Sequence, residues 1–131
     1  MNKILGKIKR SYKPNEHDEQ SKVVEFCRWN NIPIFAIPNG AWIPIKNHVM
    51  RSKYINKLKR EGMSPGVPDL CIPVPNGEFH GLYIEMKVKG GFLREEQKKW
   101  IKELNRQGYK AIVCYSADEA MQIIEDYMKD M

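Results

Sequence analysis

At 131 residues with 42% apolar side chains, the chain is long enough for one domain with a real core and too short for two ordinary ones. Its 22 Lys and Arg outnumber 16 Asp and Glu, and the formal charge of +6 favours an anionic partner, nucleic acid first. Cys27, Cys71 and Cys114 are odd in number and widely spaced, which argues against a disulfide framework or a paired-cysteine metal site, and no apolar run is long enough to span a bilayer. The expectation is an intracellular, cytoplasmic protein with reduced, buried thiols and no membrane partner.

Residues 1–14 read as a basic arm, with Lys3, Lys7, Lys9, Arg10 and Lys13 ending at Pro14. Asn15 is the expected N-cap of a helix running to about residue 29, whose first turn holds Glu16, Asp18 and Glu19, where negative charge suits the helix dipole. Val23, Val24, Phe26 and Cys27 are its expected buried stripe. "NNIPIFAIPNG" predicts a turn and a short strand near 34–37, closed by Pro38-Asn39-Gly40. Prolines exclude regular structure over 41–46. A helix over 48–61 follows, stopped by Gly62 and carrying Arg51, Lys53, Lys57, Lys59 and Arg60.

After "GMSPGVP" the pattern predicts a strand near 69–74, a turn in "PNGEF" and a strand near 81–88, together an antiparallel hairpin. Pro73 lacks a ladder donor, so its strand should be short, bulged or at an edge there. Helical spacing at Gln97, Trp100, Ile101 and Leu104 predicts a helix over 94–107, with Gly108 just beyond it. "AIVCY" reads as a short buried strand, and Ser116 with Glu119 as a capping box opening the last helix. The helix between the strands at 81 and 111 is long enough for a parallel crossover, so the expected class is α/β, a mixed sheet with helices packed on it.

Asp69 poses the chemical question, because a carboxylate opening an apolar strand is costly unless something pairs with it. Centring the hairpin on Gly77 sets Asp69 opposite Glu85. Strand alternation then puts Glu85 and Lys87 on one face and Ile84, Met86 and Val88 on the other. Close carboxylates repel, a divalent cation resolves the repulsion, and oxygen ligands favour a hard ion such as Mg2+ or Mn2+. Lys87 beside them can stabilise a phosphate's charge or help deprotonate an attacking water. The competing reading is an ordinary amphipathic strand whose Glu85 and Lys87 are solvated or paired with each other. On the first helix Glu16 and Gln20 continue the buried stripe at spacings of four, and Glu19 borders it, so Glu16 can face the same site. Alternatively, these acids do no more than favour the helix start.

The order of a helix glutamate, then "GVPDL", then "YIEMK" resembles the PD-(D/E)XK nuclease superfamily, with Pro68-Asp69 and Glu85-Met86-Lys87 as the halves of its motif. Together with "EHDEQ", "PNG", "LKREGMSPGVPDL" and "LREEQKKW" followed by "GY", the text resembles the VRR-NUC domain, the virus-type replication-repair nuclease module, over residues 15–127. The resemblance implies a restriction-endonuclease-like fold, a mixed sheet flanked by helices, forming a single domain over 15–131 behind the basic arm. It implies a Mg2+- or Mn2+-dependent deoxyribonuclease of phage or bacterial-host setting, acting in replication, repair or recombination. Such an endonuclease hydrolyses DNA phosphodiesters, in some members at branched structures such as Holliday junctions, and often works as a homodimer. Carried over by position, Asp69 and Glu85 are metal ligands, Met86 lends a backbone carbonyl, Lys87 is the catalytic lysine and Glu16 the helix acid, with Glu19 as the alternative. Gln20 and Gln97 match recurrent glutamines expected to hold the lysine, the water or the metal shell.

Arg51, Lys53, Lys57 and Arg60, with Gln20, the basic arm and Lys98, Lys99 or Lys102, are the candidate nucleic-acid contacts. His17, His48 and His80 lack zinc-ligand spacing. Trp29 and Trp42 are candidates for base stacking if exposed, whereas Trp100 is expected in the core. The loop over 39–47, rich in apolar residues and prolines, is a candidate dimer contact or DNA wedge. The rival function is a nucleic-acid-binding module with a nuclease-like fold that does not cut, and an RNase using the same site is a third reading. Metal dependence separates cutting from binding.

Overall fold

The computed structural model describes residues 15–40 and 43–130. In chain order the elements are α1 (Glu16–Trp29), β1 (Phe35–Ala36), α2 (His48–Arg60), β2 (Leu70–Ile72), β3 (Leu82–Met86), α3 (Glu95–Arg106), β4 (Lys110–Cys114) and α4 (Ala117–Lys129). Asn15 caps α1 as its sequence predicts, its Oδ1 accepting from the Asp18 N–H at 2.8 Å. Ser116 Oγ does the same for the Glu119 N–H at 3.0 Å, but the Glu119 carboxylate accepts from the Tyr115 N–H rather than from Ser116. The expected box is thus displaced by one residue on its return bond.

The strands form one mixed sheet in the order β1-β2-β3-β4. β1 and β2 are antiparallel, β2 and β3 are antiparallel, and β3 and β4 run parallel across the α3 connection. The hairpin register pairs Leu70 with Ile84, Cys71 with Tyr83 and Ile72 with Leu82, which centres it on Gly77. The first three strands are shorter than the pattern predicts, whereas β4 keeps the expected five residues, one position earlier. β2 stops at Ile72 because Pro73 has no N–H to continue the ladder. β1 keeps only Phe35 and Ala36, and the strand expected over 81–88 is confined to Leu82–Met86.

Leu70, Ile72, Leu82, Ile84 and Met86 project onto one face and meet Val23 and Cys27 of α1 and Ala117, Ala120, Ile124 and Tyr127 of α4. Alanines at the near end of α4 let that helix sit close to the sheet. The Tyr127 hydroxyl donates to the Val74 carbonyl at 2.6 Å, tying α4 to the hairpin. α3 packs along β4 and contributes nothing to this cluster. Asn105 closes the outer edge of β4 with its side-chain amide, accepting from the Ala111 N–H at 2.9 Å and donating to the Ala111 carbonyl at 3.1 Å. All three cysteines are free and buried.

α2 stands apart from this core. It is capped by Asn47, ends at Glu61 before Gly62 with φ +112°, and buries none of its residues. Among the described residues, no helix is long and apolar enough to cross a membrane.

Candidate active site

The approach to Asp69 is built by the residues just before it. Gly66 has φ +92°, and a Cβ there would lie 2.6 Å from the Glu96 backbone, so only glycine lets this loop touch the first turn of α3. Pro68 is fully buried and fixes the entry into β2. The Asp69 carbonyl accepts from the Ile37 N–H at 2.8 Å. Its carboxylate is held at both oxygens: Oδ2 accepts from the Met86 N–H and Oδ1 from Asn39 Nδ2, each at 2.9 Å. Asn39 Nδ2 also donates to the Val67 carbonyl at 3.1 Å, clamping the loop from the far side. Two other segments of chain therefore hold one carboxylate.

Glu85 lies across the hairpin from Asp69 and is 2% exposed. Its Oε1 is buried without a hydrogen-bond partner among the described residues. Burial is the main cause that pushes its carboxyl up to about 9. A hydrogen bond to Asp69 and that carboxylate's charge add to the rise, Lys87 opposes it, and Glu16 contributes a little more. Without a cation the pair thus resists carrying two negative charges. Lys87 follows on the same face, 9% exposed, with its N–H on the Cys114 carbonyl at 2.9 Å.

Beside Asp69 opens a cleft of about 960 Å3, walled by the start of α1, the loop after β1 and one side of α2. Glu16 and Gln20 line it, whereas Glu19 is buried elsewhere with its Oε2 3.2 Å from Lys22 Nζ. Of the two candidate α1 glutamates Glu16 lines the Asp69 cleft, together with Asp18. Among the described residues, no three His, Cys, Asp or Glu side chains gather into a complete ligand set. The Asp69–Glu85 pair is in contact, and Glu16 acts on it from the cleft wall.

The sequence profile of the VRR-NUC domain matches residues 43–118, a span that contains Asp69, Glu85 and Lys87. The chain belongs to the VRR-NUC family. A solved VRR-NUC domain protein superposes with a TM-score of 0.61 at 27% identity, over 86% of this chain and 89% of that one. No curated protein gives a significant match. The family is of nuclease type, and its profile covers both halves of the motif carried by β2 and β3.

Other residues singled out from the sequence take varied places in this VRR-NUC domain. The Met86 side chain is buried in the apolar core while its N–H serves Asp69. Gln97 is buried at the start of α3 and its Oε1 accepts from the Arg94 N–H at 2.8 Å, so this oxygen is already engaged in closing the helix's first turn. Arg51 is half-buried on α2, and Lys53, Lys57 and Arg60 are exposed there. Lys98, Lys99 and Lys102 are exposed on α3, with Lys98 3.3 Å from Glu95. Trp29 is exposed and Trp100 is half-buried, not enclosed. His17 lines the cleft, His48 is exposed, and His80 meets the Tyr109 ring edge-on at 5.6 Å. The basic arm and Trp42 lie outside the described residues. Asn39 was missed by sequence reasoning as a site residue. The signal was the "PNG" turn itself, whose amide reaches 30 positions along the chain to Asp69.

Proposed function

We propose that this VRR-NUC domain is a metal-dependent DNA endonuclease that hydrolyses phosphodiester bonds, with selectivity for branched or otherwise structured DNA. The observation that carries the reading is the burial of Glu85 against Asp69 with Lys87 beside it. A strand serving only stability has no use for ionisable groups held away from water.

The donor set fits a divalent cation. Glu85 Oε1 is buried and unsatisfied, and its carboxyl is raised by burial and by the neighbouring Asp69, a repulsion that a cation's charge would relieve. Asp69 and Glu85, with the Met86 carbonyl and Glu16, are the groups that would hold Mg2+ or Mn2+; the ion, when bound, lowers the pKa of a water and polarises a phosphate oxygen. Asn39 and the Met86 N–H keep the Asp69 carboxylate in one orientation, so its position costs no rearrangement during reaction. Lys87 supplies positive charge to the attacked phosphate and holds the attacking water for proton removal. Gln20 orients groups from the α1 wall, and the cations of α2 grip flanking phosphates. A two-fold pair of chains would set two such sites against opposed strands of a junction.

The test uses end-labelled linear duplex, single-stranded, flapped and four-way-junction DNA with Mg2+, Mn2+ or EDTA. Metal-dependent cuts are expected, absent in EDTA, and lost in Asp69→Ala and Lys87→Ala proteins that still bind DNA. Wild-type protein that binds every substrate and cuts none in either metal overturns the reading and leaves a nucleic-acid-binding module.

A further inference from the structure

The cleft beside Asp69 is more apolar than phosphate chemistry requires. Ile37, Ile43, Leu58 and Met63 wall it, and α2 adds the ring of Tyr54, which is 44% exposed. Its volume of about 960 Å3 suits an organic ligand, since such pockets run to roughly 300–1,000 Å3. α2 buries none of its own residues, so packing alone does not account for this helix. It has no acid in its first turn and ends in Lys57, Lys59 and Arg60. Arg51 and Lys57 lie one turn either side of Tyr54 and share its face.

An apolar slot with cations one turn away along α2 complements a ligand with a flat apolar part on an anionic chain. A nucleobase on its phosphate backbone is such a ligand. In a duplex the bases are stacked and paired at the centre and cannot enter a side cleft; an unpaired nucleotide can. Glu16 and Asp18 line the cleft from α1 and Asp69 from the entry to β2, so flanking phosphates fall to Arg51 and Lys57 of α2. Because Asp69 borders the same cleft, a base seated on Tyr54 brings a neighbouring phosphate to the carboxylates.

We propose that this cleft receives one unpaired nucleobase of a single-stranded segment, stacked on Tyr54, and so confines cleavage to phosphodiesters next to unpaired nucleotides. Only the last clause rests on the nuclease reading. The base site is tested by itself in EDTA, where metal-dependent cutting is off.

A single-stranded DNA carrying a fluorescent adenine analogue is titrated with the protein in EDTA, beside the matching duplex. The fluorescence should change with single strand and not with duplex. Tyr54→Ala should weaken single-strand binding by about tenfold or more, and Tyr54→Phe, which keeps the ring, should restore it. Tyr54 lies on a helix with no buried residue, so the alanine variant folds. Equal binding by wild type and Tyr54→Ala overturns the proposal. So does loss of self-association in Tyr54→Ala with DNA binding intact, which gives the cleft to a second copy of the chain. With Mg2+ added, Tyr54-dependent binding without any cutting keeps the base site and rejects the nuclease reading. Metal-dependent cutting of paired duplex that Tyr54→Ala leaves unaltered does the reverse.

Discussion

Ile84 and Glu85 are neighbours in β3, exposed to water by 0% and 2%, yet they stand on opposite faces of the sheet under opposite energetics. Ile84 joins Met86 in the apolar cluster with α1 and α4, where burying such a side chain stabilises the fold by roughly 1.5–3 kcal/mol. Glu85, with Lys87 next on its face, is buried at a cost, visible as a carboxyl pushed up to about 9. Equal burial therefore says nothing about role. One face of the strand secures the fold, and the other spends part of that stability on keeping charged groups dry and close.

The two faces separate most sharply at Lys87. Lys87→Ala should lower single-turnover cleavage by about 10³-fold, roughly 4 kcal/mol of barrier, with the urea midpoint nearly unmoved. Ile84→Ala should do the opposite: lose about 3 kcal/mol of stability while each folded molecule still cuts. Cleavage per folded molecule and urea unfolding, measured on both variants, read the two faces separately. A Lys87→Ala protein that unfolds, or a folded Ile84→Ala protein that is inactive, would erase the distinction.

The next effect is a pH dependence of the metal-free protein. The Glu85 carboxyl sits near 4.5 in an unfolded chain and is raised to about 9 in the fold, so its contribution is fully present below pH 4.5 and is lost as pH rises toward 9. In EDTA the urea midpoint should fall across that window, by on the order of 2 kcal/mol between pH 5 and 7. Glu85→Gln should flatten the slope, because an amide has no proton to lose. Saturating Mg2+ should flatten it as well by taking the proton's place. A wild-type slope that Glu85→Gln leaves intact assigns the dependence to other groups.

Local rules made much of this legible in the sequence. The register of the hairpin followed from a turn centred on Gly77, and with it the apposition of Asp69 and Glu85. Helix spacing put Glu16 and Gln20 together and both line the Asp69 cleft, but the buried stripe at spacings of four runs through Glu19, Val23 and Cys27, not through Glu16 and Gln20. Interactions without a period stayed hidden. The Asn39 amide reaches Asp69 from a loop far away in sequence, and nothing in "PNG" announces its target. Gln97 carries a cap bond that the reading of recurrent glutamines did not include. The cationic pattern of α2 was plain, but its standing clear of the core was not, because periodicity marks apolar positions without saying whether anything covers them.

Asn39 also gives the smallest predicted effect, and the one that separates holding a carboxylate from having one. Asn39→Ala removes the bonds to Asp69 Oδ1 and to the Val67 carbonyl and leaves the Met86 N–H on Oδ2, so the Asp69 carboxylate keeps one of its two restraints. Stability should drop by about 1–2 kcal/mol, the ordinary worth of two hydrogen bonds. Metal affinity should weaken by about tenfold, the low end for residues that orient a ligand without touching the ion, with cleavage at saturating metal largely recovered. Mn2+ titration followed by cleavage across metal concentrations measures both. Recovery at high metal marks Asn39 as a positioning residue, whereas a loss of rate that no metal concentration repairs would place its amide among the groups that meet the substrate.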